Sequence, residues 1–593
     1  MHSVQLIQLP LHPSTAWEPT GNIPLAPALL AATAALPPES VFPEMLLNTL
    51  GDTALLNELK RRDPELLGAT LYLWNRERTL YLLRSLKQWK PELLTVAGGP
   101  EVTQDNQSLL NETCIDLFIA GEGESFATDV LSPEKLRAIL KTGRKLLGPV
   151  VSTEPPDHWP DPYETGYITP PEGGSAHVET QRGCQCLCSY CAYRRTSPVP
   201  RMIPAETVLK KIRALREMGA EELVFLDPTF NSRPDLAPLL SGMSGCKLDC
   251  FAEVRSDLIR SSAETDALAQ AGFSSLEVGL QTMSMEVLHS VGRGGNPLSI
   301  LRGASLLKNS GITPIMDLIL GLPGDNPDNI ELAATELVSR NLHEQVQTFC
   351  LSVLPGTELR LNAEELEIQY RDRPPYSITQ SGPYTIGNLL QAREKVSDIL
   401  GYDADPPPRP VLSNSFPGME VFIPEKNSIS ASPSVRHGVL RINTNDPWAH
   451  RESILNKIRE RRNRDPYCPL DAVIRSKKLF PLDLLDMISE LPEPQCYTTE
   501  KAEIYGLPGL LRLAVIMPRT TDPCWLMECS ELTVTVIESN TPACLPGGQI
   551  GLLLKGNHDL AQLSALYSQA PHLVFFAEKE LEILWNLDVL GLG

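Results

Sequence analysis

Gln181-Arg182-Gly183-Cys184-Gln185-Cys186-Leu187-Cys188-Ser189-Tyr190-Cys191 sets four cysteines within eight residues of a 593-residue chain that holds thirteen in all. Residues 177–181, leading into this stretch, read as a strand, and residues 205–218 beyond it read as a helix. Further strand-like runs follow at 222–226, 248–253, 276–279, 315–320 and 346–351, with helical segments between them. Six βα units joined by right-handed crossovers predict a partial (β/α)6 TIM-like barrel over residues 175–375, with its active residues at the strand carboxyl ends. Upstream, residues 151–174 carry Pro155, Pro156, Pro160, Pro162, Pro170 and Pro171 and read as a linker. Residues 1–150 alternate strands (4–9, 67–71, 93–97, 117–120) with helices (24–36, 77–89), and two of the strands run into glycines, Gly98-Gly99 and Gly121. That pattern predicts a Rossmann-like open parallel sheet that meets a ligand at its carboxyl edge. Residues 376–410 read as a helical extension and hinge, with a helix at 386–400 and a break at Pro406-Pro407-Pro408. Residues 411–593 read as an α/β or α+β domain, with strands at 511–516, 532–537 and 550–554 and a helix at 560–567. It carries no interpretable motif and is a candidate for substrate recognition.

Composition narrows the function. A formal charge of −21 argues against a nucleic-acid-binding surface, which would need a basic stripe. The longest basic run, residues 457–464 with Arg459, Arg461, Arg462 and Arg464 around Glu460, reads as a solvated helix face. No stretch reaches the roughly twenty apolar residues of a membrane span, and the first residues lack the basic and apolar regions of a signal peptide. The expected location is the cytoplasm, where thiols stay reduced, so the cysteines call for a reading other than a disulfide framework.

Cys184, Cys188 and Cys191 have the spacing C-x3-C-x2-C. Three thiolates on one short loop suit three irons of a [4Fe–4S] cube and leave the fourth iron without a protein ligand. S-adenosylmethionine (SAM) can chelate that iron through its amino and carboxylate groups. Zinc is the alternative, but structural zinc sites pair two Cys or His motifs, and no second C-x-x-C occurs in the chain. Cys186 adds a thiol inside the loop as a spare residue, a resolving thiol or an alternative ligand.

The loop, with Tyr190 before its last cysteine, resembles the radical SAM signature, in which the aromatic residue packs near the adenine. Phe225-Leu226-Asp227-Pro228-Thr229, Phe251-Ala252-Glu253-Val254-Arg255, Gly279-Leu280-Gln281-Thr282, Asp317 to Gly324 and Val353-Leu354-Pro355-Gly356-Thr357 resemble strand ends of that family. The resemblance implies a [4Fe–4S] cluster on Cys184, Cys188 and Cys191, and SAM contacts at Tyr190, Asp227, Glu253, Arg255, Gln281 and Gly321. The polar members could equally close loops or pair with one another.

Tyr72-Leu73-Trp74-Asn75, Gly98-Gly99-Pro100-Glu101 and Gly121-Glu122-Gly123-Glu124 resemble the cobalamin-binding domain that precedes the barrel in one radical SAM subgroup. The resemblance implies bound cobalamin at these twelve residues, including Leu73, Asn75, Pro100, Glu101, Glu122, Gly123 and Glu124. The domain lacks Asp-x-His-x-x-Gly: before residue 150 the histidines are His2 and His12. Tyr72 and Trp74 either cover the lower face of the cobalt or simply pack a core. The subgroup implies a cobalamin-dependent radical SAM methyltransferase that methylates an unactivated carbon, served by a flavodoxin- or ferredoxin-type electron donor. The expected substrate is a peptide or protein side chain, with a biosynthetic small molecule second. The alternatives are oxidation, cyclisation or rearrangement with the same cofactors, and a cobalamin sensor with an inert barrel.

Overall fold

The computed structural model describes residues 3–12 and 22–517, apart from 151, 154, 172, 194–198, 407, 414–415 and 431, and beyond them the strands at 534–539, 551–554 and 574–576. Two compact units emerge. The first holds residues 1–9, 23–44 and 62–405; the second gathers 10–22 and 45–61 with 406–593.

In the first unit, β1 (Val4–Ile7), β2 (Leu66–Thr70), β3 (Leu94–Gly98), β4 (Leu117–Gly121) and β5 (Leu146–Val150) form one parallel sheet in that order. The first four are apolar throughout or nearly so, as strands covered on both faces must be. One face (Val4, Leu6, Leu66, Leu94, Val96, Leu117, Ile119) packs on Ala28, Ala31, Ala127 and Val130 of the helices Leu25–Thr33 and Ala127–Val130.

The barrel opens with β6 (Ser175–Val178), β7 (Glu222–Phe225) and β8 (Asp249–Phe251), a parallel three-stranded sheet. The third barrel strand then breaks at Ala252 and resumes as β9 (Glu253–Val254), which starts a second parallel sheet with β10 (Ser275–Gln281), β11 (Thr313–Leu320) and β12 (Gln345–Cys350). These are the six βα strands expected from the sequence. Leu276, Val278 and Leu280 of β10 are buried on the helix side, which turns Glu277, Gly279 and Gln281 to the opposite, inner face.

The second unit holds seven parallel strands in chain order, Met419–Ile423, Gly438–Thr444, Leu470–Ser476, Leu511–Met517, Val534–Ser539, Gly551–Leu554 and Val574–Phe576, plus an antiparallel edge strand, Ser428–Ile429. It is therefore α/β. The helix expected at 560–567 lies outside the described residues. The basic run lies on the helix Arg451–Arg464 but is not a fully solvated face: Lys457 and Arg461 are buried, pairing with Glu420 (2.5 Å) and Asp465 (2.7 Å). Among the described residues no helix is long and apolar enough to cross a membrane.

Candidate active site

The cysteine loop leaves the barrel just after β6 and is closed at its base by a two-residue antiparallel ladder, Gln181 opposite Met202 and Arg182 opposite Arg201. Asp227 braces the approach: it accepts hydrogen bonds from the backbone N–H of Thr180 (2.8 Å) and Gln181 (2.9 Å) and from the Thr180 hydroxyl. Its carboxylate is thus engaged inside the protein. The far side of the loop is held by backbone, with Ser189 N–H donating to Val291 O (2.8 Å) and Leu359 N–H to Ser189 O (2.9 Å).

None of the loop cysteines is in a disulfide. Cys184 is buried with its Sγ 3.4 Å from Thr229 Oγ1 and from the backbone N of Cys186. Cys186 accepts from Arg255 Nη1 at 3.1 Å. A hydrogen bond with Cys184 and the Arg255 guanidinium hold the Cys186 thiol low, while the same bond and burial hold Cys184 high. Burial raises Cys188, and it pushes Cys191 up to about 11. Among the described residues no three His, Cys, Asp or Glu side chains are gathered as tightly as metal ligands. The donor chemistry nevertheless fits an iron–sulfur cluster: Cys184, Cys188 and Cys191 are free thiols on one loop, and the Arg293 and Arg255 guanidinium groups oppose the burial that raises Cys188.

Arg293 was not singled out from the sequence. It lies in Gly292-Arg293-Gly294-Gly295, whose three glycines all have left-handed φ, and that glycine-framed arginine was the available signal. Its Nη2 donates to Gly279 O (2.8 Å), while its buried Nη1 has no hydrogen-bond partner. Gln281 stands beside it after a register shift in β10, with φ 71 and a buried Oε1 that also lacks a partner. A non-glycine residue held in that region stores strain of about 1–3 kcal/mol, which marks candidate functional positions. Arg255, by contrast, is committed to Asp257 (2.6 and 3.0 Å), Cys186 and Arg293 O. Glu253 adjoins Glu277 and Asp227, and burial followed by those charges raises its carboxyl to about 7. At Gly321 (φ 95) a Cβ would lie 2.1 Å from Ile378 Cδ1.

A cavity of about 290 Å³ lies at the carboxyl edge of the N-terminal sheet. It runs between Leu6, Gly68, Val96 and Ile119 on the sheet and Pro27, Leu30 and Val130 on the covering helices. Gly98, Gly99, Gly121, Glu122, Gly123, Glu124 and Tyr72 line it, as do Gln181, Arg182, Gly183 and Tyr193 from the two arms of the cysteine loop. Gly99 (φ 106) and Gly121 (φ 79) make the turns, and a Cβ on either would strike a backbone carbonyl, Leu71 O at 2.6 Å or Val150 O at 2.5 Å. A largely apolar slot behind glycine turns suits the flat, bulky groups of cobalamin, and none of the lining residues is a histidine.

Leu73, Trp74, Asn75, Pro100 and Glu101 do not line the cavity. Trp74 stacks on Tyr72 at 4.4 Å. Asn75 is buried and hydrogen-bonds Tyr72 N, Leu9 O and Thr70 O, so it shapes the turn. Buried Glu101 accepts from the Tyr376 hydroxyl, which also takes a hydrogen bond from Arg76 (2.7 Å). It is a strut between the sheet domain and the segment after the barrel.

Residues 178–337 match the Radical SAM superfamily model and residues 43–131 match the B12 binding domain model. The chain is similar to 2-(S-pantetheinyl)-carbapenam-3-carboxylate methyltransferase of Streptantibioticus cattleyicolor, 23% identical over 333 residues, 50% of this chain and 48% of that protein. It is also similar to the cobalamin-dependent radical SAM methyltransferase TokK of Streptomyces tokunonensis, 25% identical over 342 residues, 52% of this chain and 49% of that protein. It spans about half the length of each of these two relatives. A solved structure of the radical SAM methyltransferase TsrM from Kitasatospora setae aligns with a TM-score of 0.47 and 16% identity over 62% of this chain and 76% of that one. The cofactors that go with the two matched domains are a [4Fe–4S] cluster, SAM and cobalamin. With a glycine-edged parallel sheet leading into a six-stranded barrel whose first loop carries four free cysteines, the chain holds a B12 binding domain followed by a Radical SAM superfamily domain.

Proposed function

We propose that the chain is a cobalamin-dependent radical SAM methyltransferase that acts on an unactivated carbon. The observation that carries this reading is the shared cavity, one wall of which is the glycine turns of the sheet and another the arms of the cysteine loop. When bound, the cluster and SAM supply hydrogen abstraction from an inert carbon, and cobalamin supplies the methyl group. The chain's own residues position and insulate those groups. Cys184, Cys188 and Cys191 hold the iron, and Cys186 stays paired with Arg255. The unpaired Nη1 of Arg293 would take the SAM carboxylate, and Gln281 and Glu253 would orient the rest of the molecule from the inner face of the barrel. Tyr72, stacked on Trp74, would form part of the wall that holds cobalamin. Reduction of the cluster requires an external donor of the flavodoxin or ferredoxin type.

The test is turnover of the cobalamin-loaded enzyme with methyl-deuterated SAM. The product gains a labelled methyl group, and 5′-deoxyadenosine and S-adenosylhomocysteine accumulate in roughly equal amounts, because one SAM is spent in each role. Deoxyadenosine without S-adenosylhomocysteine would overturn methylation in favour of oxidation, cyclisation or rearrangement. S-adenosylhomocysteine alone would indicate polar methylation of a nucleophilic carbon.

A further inference from the structure

Arg182 and Arg201 stand directly opposite each other in the short ladder that closes the base of the cysteine loop. Like charges facing across an antiparallel pair repel, and with Arg201 buried and Arg182 half-buried the ladder needs carboxylates to stand. Both come from the glycine turn at the end of β4. Arg182 pairs with Glu124 at 2.6 Å and lies 3.9 Å from Glu122, while Arg201 pairs with Glu122. Glu122 is fixed in turn by the backbone N–H of Ser152 (3.0 Å). Glu179 completes the group at 2.8 Å from Arg182. Arg182, Glu122 and Glu124 all line the cavity, and Arg182 is two residues from Cys184.

From this arrangement we propose that Arg182 and Arg201, with Glu122 and Glu124, form a clasp through which occupancy of the cobalamin cavity steadies the cluster loop. Arg182 is a positioning residue. A group seated in the cavity fixes the 121–124 turn that forms its wall. The turn fixes the two arginines, and these fix both strands from which the loop springs. Coupling of this kind is reciprocal, so a held cluster also tightens the cavity's grip on its occupant. The clasp rests on the reading of the cavity as a cobalamin site.

The experiment measures anaerobic iron release from the reconstituted full-length chain to a chelator, with and without hydroxocobalamin. Hydroxocobalamin should slow release by about 10-fold in the wild type, a coupling of ordinary size between two sites. The protection should vanish in Arg182→Met and in the near-isosteric Glu124→Gln, which keeps the turn intact if the methionine variant misfolds. It should persist in part in Arg182→Lys and return in the swap Arg182→Glu/Glu124→Arg. Equal protection in wild type and Glu124→Gln, or bound hydroxocobalamin that protects neither, would overturn the clasp and leave the cavity reading standing. A wild-type chain that retains no hydroxocobalamin would overturn the cavity reading, and the clasp with it.

Discussion

The N-terminal and C-terminal parallel sheets share a plan and differ at their edges. Both run their parallel strands in chain order, five in the N-terminal sheet and seven in the C-terminal one. In the first, side chains are removed where a ligand would sit: Gly68 opens the sheet face, and Gly98, Gly99, Gly121 and Gly123 open its carboxyl edge onto the cavity. In the second, described polar groups on the sheet are tied to each other. His437 lies 2.8 Å from Asp471, Asp471 accepts from Val411 N–H at 2.7 Å, and Arg441 donates to Leu412 O at 2.7 Å, all of them buried. A parallel sheet is thus a binding site where its sequence leaves space, and a scaffold where buried charges close it.

Substitutions in the two sheets should therefore fail in different ways. Asp471→Ala leaves His437 and the 411 backbone without their acceptor, and breaking such a buried pair costs about 3–5 kcal/mol. A large fall in the melting temperature with iron and cobalamin content intact in the cold is the expected result. Loss of cobalamin from the folded variant would erase the contrast. Gly98→Leu should do the reverse. A Cβ there meets nothing closer than 3.5 Å, so the fold tolerates it, but the rest of the side chain fills the cavity. Hydroxocobalamin affinity should drop about 100-fold, the equivalent of the 1–3 kcal/mol that overpacking costs, with little change in melting temperature.

Acidity separates the C-terminal sheet from the barrel. Burial lowers His437 against the pull of Asp471. Burial would raise Asp471, but His437 and Arg512 outweigh it and hold the carboxyl below the usual range. Both folded values lie under the unfolded ones, so the unfolded chain binds more protons and the pair loses stability as pH falls below about 6.5. Glu253 has the opposite sign. Raised to about 7, it keeps its proton in the folded chain and costs stability as pH climbs from about 4.3 toward 7. His437→Gln should flatten the acid side of a melting-temperature profile, and Glu253→Gln the neutral side, each by a few degrees, about 2–4 °C per kcal/mol. Parallel profiles for the two variants would mean that the two regions titrate alike.

The strand series and the cysteine loop were legible because their signals are local: periodicity, glycines at strand ends, and thiols at fixed spacing. What escaped depended on partners far away in the chain. Glu101 reads as part of a ligand turn until Tyr376, 275 residues on, takes its carboxylate. Lys457 and Arg461 read as solvated until Glu420 and Asp465 are placed beside them. Arg255 looked like a cofactor contact, yet Asp257 and Cys186 occupy it, and the open guanidinium belongs to Arg293 on a loop the strand pattern does not mark. Cys186 reads equally as a spare residue, a resolving thiol or an alternative ligand, and in the fold it accepts from Arg255. Alanine there should leave the iron content unchanged, whereas the triple substitution of Cys184, Cys188 and Cys191 should bring it to background.

The strut at Tyr376 bears on how modular this protein is. The proline-rich stretch at 151–174 looks like a place to cut the chain into a vitamin-binding half and a radical half. A fragment ending there would lose Tyr376 from the buried pair of Arg76 and Glu101. It would also lose the arginines that neutralise Glu122 and Glu124, and residues 45–61 would be parted from the 406–593 region with which they pack. The two domains can be told apart in sequence, but most of both lies in one compact unit tied by shared buried contacts, so the pieces are not interchangeable parts.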